Sequence, residues 1–272
     1  MSIIYGKGIY IMGEPSAPTA NLTPQSGVTY TSGISGIDPA MLTMFSQAIS
    51  NNADITSETN TVYVDYKSTH VKIDVANQVT IALNGTNYAF DVIGFNHDAL
   101  TNTNAYGKVT ATGKAGMTLQ MHDCFATIYA MNSTDANSGG WKSSVMRTST
   151  MPLMKGYMPT VWQTAIKAVD KKSGLGGGSS SGTETTSDDC FLLAEVEVFG
   201  STPYSVSGEG TQYAYYKAGH SKVKNRNGSN SYWWERSPRS GGKYNFCCIY
   251  AAGTSQFNES SSSRGVAFAF DI

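Results

Sequence analysis

The chain has 272 residues, of which 40% are hydrophobic and 14% charged, with a formal net charge of −1. That length suits one large domain or two ordinary ones, and the near-neutral balance argues against a general nucleic-acid binder. Charge is replaced by Ser, Thr, Asn, 28 Gly and 16 Tyr, a mix that suits β-rich, loop-rich extracellular or virion proteins better than a cytosolic enzyme.

Met1–Gly8 lacks the basic start and apolar core of a secretory leader, and no run reaches the roughly 18 apolar residues a membrane helix needs. The protein is therefore expected either to be intracellular or to leave by another route, such as assembly into a virion-like particle that reaches a bacterial cell surface after release, with no membrane insertion. Ile3, Ile4, Tyr5, Ile9, Tyr10 and Ile11 suggest two short strands or a docking arm, within a stretch broken by Pro15, Pro18 and Pro24. Asp38-Pro39 then opens a helix, with Asp38 as N-cap and Pro39 in its first turn. Met41, Leu42, Phe45 and Ile49 share one face of it up to about Ser50. That face needs cover, either from its own core or from a partner subunit or attachment platform.

Alternating runs at Thr61–Tyr66 and His70–Val75 predict strands. Asn84-Gly85 between Gln78–Leu83 and Thr86–Phe95 predicts a type I′ hairpin. Asn96-His97-Asp98 is expected to be a structured turn rather than an acid/base or metal site. Met117–Met121 should be a strand, with His122 and Cys124 at its end more simply explained as hydrogen-bonded core than as a catalytic pair. Trp141–Arg147 reads as a helix with Trp141 and Val145 one turn apart. A second helix announced by Pro159 carries Val161, Trp162, Ala165, Ile166 and Val169, and ends in Asp170-Lys171-Lys172. Ser173–Ser187 reads as a flexible Gly/Ser/Thr loop, and it lacks the lysine of a phosphate cradle.

Cys190–Gly200 reads as a buried strand that becomes alternating, putting Glu195 and Glu197 on one face. Those carboxylates are either a general acid and base, or acceptors for Arg147 or Arg236; the structural role is favoured. From Lys217 to Lys243, seven Lys and Arg residues stand against Glu235, forming a basic, aromatic rim suited to an anionic surface polymer. Trp233, Trp234, Arg236 and Pro238 form an aromatic anchor, and Val266–Phe270 reads as a closing buried strand. The segment between is rich in Tyr, Ser, Asn and Gly, the residues that binding loops use for area and adaptable hydrogen bonds. Cys124, Cys190, Cys247 and Cys248 show no ligand spacing. The adjacent Cys247 and Cys248 could pair or bind a soft metal, but the simpler expectation is one facing in and one out. No cofactor is assigned.

With Trp233-Trp234-Glu235-Arg236-Ser237-Pro238 and Ser263-Arg264-Gly265-Val266, the chain resembles an uncharacterised domain family abundant in prophages and secreted proteins of gut bacteria, with the pattern W-W-x-R-S-P … G-V-R-P-A-F. The resemblance extends through Val79–Phe95, Gly140–Arg147 and Phe191–Glu195, covering about residues 75–272. It departs at Ala267 and Phe268, where Arg and Pro are usual, leaving Arg264 to supply a terminal arginine contact. The terminal layout also resembles the C-type lectin-like variable proteins of diversity-generating retroelements, which phages place at tail-fibre tips. Mutagenesis there scatters Asn codons to residues such as Tyr, Ser, Cys and Thr, which would account for Cys247 and Cys248. The calcium-lectin motifs and the cysteine pair of formylglycine-generating enzymes are not matched.

The combined expectation is an α+β fold. A small N-terminal attachment or oligomerisation segment, 1–70, precedes a loop-rich C-type lectin-like domain, 71–272, with mixed antiparallel sheets, two helices and a variable-type loop region at 225–262. Expected ligand contacts are Tyr232, Arg239, Lys243, Tyr244, Asn245, Tyr250, Thr254, Gln256, Phe257 and Asn258, held by Trp233, Trp234, Arg236, Arg264 and Gly265. The expected role is a phage receptor-binding protein, not an enzyme. Its partners would be a bacterial surface protein or glycan, other virion proteins through the N-terminus, and further copies of itself, a trimer being favoured for avidity. The alternatives are a purely structural virion component, or a cell-wall polymer-degrading enzyme in which Glu195, Glu197 and His122 converge within about 10 Å.

Overall fold

The computed structural model describes residues 17–272, so the strands or arm expected from Ile3 to Ile11 lie outside the described residues. Strands β1 (Thr19–Asn21), β2 (Thr31–Ser32), β3 (Thr61–Tyr66) and β4 (Thr69–Asp74) form one sheet in the order β1-β3-β4-β2. Helix α1 (Pro39–Ser50) starts where Asp38 accepts a hydrogen bond from the Ala40 amide at 2.8 Å, an N-cap with Pro39 in the first turn. The boundary expected at residue 70 falls inside β4, whose partners β2 and β3 lie N-terminal to it.

The apolar face of α1 is covered by the chain's own core: Leu42, Phe45 and Ile49 are fully buried. The helix lies so close to the next sheet that a Cβ on Gly116 would come within 1.9 Å of the Ser46 carbonyl oxygen. Only glycine fits there. Asn96 ties the end of α1 to the loop after it, donating to the Ile49 and Ile55 carbonyls at 3.0 and 2.8 Å.

The main sheet is antiparallel, with the order β10-β16-β7-β6-β5. Its strands are β5 (Gln78–Leu83), β6 (Thr86–Phe95), β7 (Met117–Met121), β10 (Cys190–Phe191) and β16 (Ala269–Asp271). Asn84 and Gly85 have φ of 47° and 81°, the left-handed pair a type I′ turn requires. Every residue of β7 and β16 is buried. Phe90 packs edge-on against Phe268 and Phe270 with centroids 5.5 and 5.6 Å apart.

Three expectations for the middle of the chain are corrected. The helix expected at Trp141–Arg147 is split into α2 (Gly140–Ser143) and a π turn at Met146–Thr150 that leads into α3 (Met151–Tyr157). Ser144 interrupts it: its hydroxyl bonds back to the Trp141 carbonyl at 2.9 Å and takes the Arg147 amide at 3.1 Å. Trp141 is buried as expected, but Val145 is exposed. The Pro159 helix stops early, as α4 (Thr160–Ala165), and the rest is strand β8 (Val169–Gly174). β8 pairs with β9 (Thr183–Asp188), so the loop expected at Ser173–Ser187 shrinks to the connection 175–182. The sign is strand alternation, with Val169, Lys171 and Ser173 buried and Asp170 and Lys172 exposed.

The buried strand expected at Cys190–Gly200 ends at Phe191, and Glu195–Phe199 is helix α5. Glu197 accepts the Ala194 amide at 2.9 Å, capping the helix, and Gly200 closes it at φ +69°. Glu195 and Glu197 therefore diverge instead of sharing a face. Residues 71–272 carry five short helices rather than two, the last being α6 (Ala214–Lys217). The fold is α+β, as expected from sequence, with strands in several small sheets.

Candidate binding surface

The region expected to be a loop at 225–262 is mostly strand. The hairpin of β11 (Lys224–Arg226) and β12 (Ser229–Ser231) leads into β13 (Trp233–Pro238), β14 (Asn245–Ile249) and β15 (Ser255–Glu259), a three-stranded antiparallel sheet. β13 is buried along its whole length, and so are Phe246, Cys247, Cys248 and Ile249 of the central strand β14. Cys247 and Cys248 are thus both buried, not one in and one out, because both faces of β14 are covered. All four cysteines are free thiols.

The nominated framework residues sit beneath the surface. The indole nitrogens of Trp233 and Trp234 donate to the carbonyls of Lys222 (3.0 Å) and Tyr129 (2.9 Å). Gly265 is pinched: a Cβ there would meet Cys124 Sγ at 2.6 Å and the Tyr232 carbonyl at 2.8 Å. Arg264 is half-buried, with its guanidinium 5.5 Å from the Tyr232 ring centroid. Arg236 is fully buried. It makes a two-pronged ion pair with Glu197 (2.5 and 2.8 Å) and donates to the carbonyls of Lys172, Leu192 and Glu209. Burial disfavours the Arg236 charge, yet Glu197 moves its pKa upward overall. Glu197 in turn suffers the same desolvation, but Arg236 and Lys171 hold its carboxyl below the usual range.

All ten nominated ligand contacts reach solvent, fully or in part. They lie at the two ends of β13 and β14 and along β15 between those ends. At one end, Tyr232 and Tyr250 meet edge-on at 4.6 Å beside a cleft of about 240 Å³ that Arg264 also lines. At the other, the Arg239 guanidinium lies 3.7 Å from the Phe257 ring centroid, and Tyr204 meets that ring edge-on at 5.1 Å. Lys243 and Tyr244 stand exposed in the turn between Arg239 and β14. Asn245, Gln256 and Asn258 line the partly open hairpin, and Thr254 is exposed at its tip. The basic rim is smaller than expected: Arg236 is internal, and Lys224 is buried, donating to the carbonyls of Met121 (2.5 Å) and His122 (3.0 Å).

Glu195, Glu197 and His122 each have separate partners. Glu195 accepts the amides of Tyr204 (3.0 Å) and Ser205 (2.8 Å) and the Ser255 hydroxyl. His122 is paired with Asp91 at 2.9 Å beside a cleft of about 480 Å³. Cys124 is buried, and desolvation pushes its thiol up to about 12, away from nucleophilic use. Of the two arginines considered for the glutamates, Arg147 pairs instead with Asp188 at 2.6 Å, which also accepts the Trp141 indole.

Two buried clusters escaped the sequence. Asp98, in the turn expected at Asn96–Asp98, accepts from Lys171 (2.7 Å) and Tyr213 (2.5 Å), and Lys171 also meets Glu197 at 2.9 Å. These groups back onto the Arg236 pair, behind a cleft of about 410 Å³. Nothing in the run Val169–Gly174 announced an inward lysine except its period-two spacing. The second cluster lies beneath the candidate surface: ligand atoms of Glu195, Glu235 and Cys247 all fall within 4.8 Å of one another. All three residues are sealed from solvent, and neither Glu235 carboxylate oxygen has a hydrogen-bond partner among the described residues.

No curated protein and no solved structure matches the chain. A family model described as a domain of unknown function, DUF6273, matches residues 116–272, from the strand behind α1 through the whole three-stranded sheet and the closing strand. That span is more than half of the chain, so the protein belongs to the DUF6273 family.

Proposed function

We propose that the chain is a recognition protein of the phage receptor-binding type, whose C-type lectin-like domain presents the β13–β15 sheet to a protein or glycan on a bacterial surface. The observation that carries this reading is the division of labour within residues 231–265. Trp233, Trp234 and Arg236 are sealed and hydrogen-bonded, while ten polar, aromatic or basic side chains around them reach solvent fully or in part. Stacked Arg239–Phe257 and the exposed Tyr244 have the chemistry of interface anchors: large, stiff and low in ordering cost. The terminal order of a tryptophan anchor, a polar and aromatic segment and a closing strand also resembles the layout of retroelement-diversified variable proteins. On this reading the N-terminal segment joins the protein to other virion components and to further copies of itself, a trimer giving avidity.

Replacing 239–262 wholesale would delete buried β14, so the test is a surface variant. Arg239→Ala, Tyr244→Ala and Phe257→Ala are combined, and adhesion to a panel of bacterial cells is scored beside the thermal midpoint. A folded triple variant that adheres like the parent removes the assignment. Sequences of sibling genes give an independent check, with substitutions expected at the ten open positions and not at Trp233–Pro238.

A further inference from the structure

A carboxylate that is fully buried and bonded to nothing is among the costliest arrangements a protein interior can hold. Glu235 is in that position, on the central segment of β13. The buried cations of this region do not relieve it, since Arg236 is engaged by Glu197, and Lys171 by Asp98 and Glu197. What does face Glu235 is a second carboxylate, Glu195, and the thiol of Cys247, all with ligand atoms within 4.8 Å of one another. Two carboxylates and a sulfur converging from three segments, α5, β13 and β14, form a donor set, and one of its members lacks any partner.

We propose that Glu195, Glu235 and Cys247 bind a borderline-soft divalent cation of the zinc or cobalt type. Sulfur excludes magnesium and calcium as good fits, and a mixed thiolate–carboxylate set suits a four-coordinate ion. The fourth position falls to water or to the Ser255 hydroxyl, which already lies on Glu195. Binding requires the Cys247 thiolate, so the thiol proton leaves to solvent as the metal–sulfur bond forms. The ion would replace repulsion between Glu195 and Glu235 by shared attraction, and would fasten helix α5 to the two strands that carry the proposed binding surface. Because the set is sealed, loading accompanies folding, as in structural zinc sites. The inference stands independently of what the surface binds.

The whole chain is unfolded in guanidinium with a chelator, then refolded in an equimolar amount of Co²⁺, of Zn²⁺, or without metal. The expected result is about one metal retained per chain after desalting, a thiolate-to-cobalt charge-transfer band in the near ultraviolet, and a higher thermal midpoint than the metal-free chain. Glu235→Gln separates the metal from a mere buried proton. With a metal, the variant retains it at least tenfold more weakly and loses the gain in midpoint. With a proton, the neutral amide leaves the midpoint unchanged or higher, and the parent takes up no cobalt. Cys247→Ala should abolish the charge-transfer band; if it does not fold, the parent spectrum and Glu235→Gln decide. No retained cobalt in the parent, or a band that persists in folded Cys247→Ala, overturns the proposal.

Discussion

Arg236 and Glu197 face each other through two parallel hydrogen bonds, 2.5 and 2.8 Å long, with neither side chain open to solvent. The pair joins β13 to α5, and the remaining Arg236 donors fasten β8 and the loop carrying Glu209. Arg236→Met leaves Glu197 and Asp98 to share Lys171, with one buried negative charge uncompensated, and strands the carbonyls of Lys172, Leu192 and Glu209. The expected cost is about 3–5 kcal/mol, read from the urea midpoint, because an unpaired buried charge outweighs the packing a Met regains. Arg236→Lys should recover little of it, since an ammonium cannot reproduce the fork.

Stability and exposure should separate cleanly within β14 and its approach. Tyr244→Ala should change the unfolding free energy by less than about 0.5 kcal/mol, because the side chain is 59% exposed. Phe246→Ala, two residues on and fully buried, should cost about 3–5 kcal/mol. Equal losses at the two positions would mean that the turn is not presented as described.

Gly116→Ala is expected to push α1 off the main sheet. A methyl group there has 1.9 Å to the Ser46 carbonyl oxygen, and both neighbours are backbone-tethered. The expected destabilisation is about 1–3 kcal/mol, with amide exchange in 39–50 accelerating more than exchange in β7.

The His122–Asp91 pair predicts a bounded pH window. Bonding to Asp91 raises the His122 pKa above 6.5 despite partial burial. Its contribution is therefore complete below pH 6.5 and is lost as pH rises through the higher folded value. Burial pushes Asp91 up, but the bonds from His122 and Gln78 outweigh it and leave the carboxyl below 3.8. That contribution is complete above pH 3.8 and is lost as pH falls through the lower folded value. The stability difference between the parent and His122→Ala should accordingly be greatest between about pH 4 and 6.5, measured by thermal unfolding across the range. A flat difference would show that the pair contributes nothing.

What the sequence disclosed depended on whether local pattern and tertiary role agreed. Asp38-Pro39, Asn84-Gly85 and Met117–Met121 each carry their own turn or strand chemistry, and the structure follows them. Lys171 and Glu197 hid their elements, because a charged residue reads as solvated until its buried partner is known. β8 was read as a helix tail and α5 as a strand for that reason. At the candidate surface, Trp233, Trp234 and Arg236 declared themselves as framework through size and charge. The buried strand at Phe246–Ile249 did not, since its flanking Ser, Asn and Gly residues resembled continuous loop. Glu235 looked like a counter-charge for basic neighbours, and only its burial reveals it as an unpartnered donor.

Strand β16 enters the main sheet between β10 and β7, two strands already separated by a long stretch of chain. Until Ala269–Asp271 slot in, β10 has no partner in the sheet and β7 keeps an unpaired backbone edge. Completion of the main sheet therefore waits on contacts of high sequence separation, the kind that slows folding, because of the position of one three-residue strand.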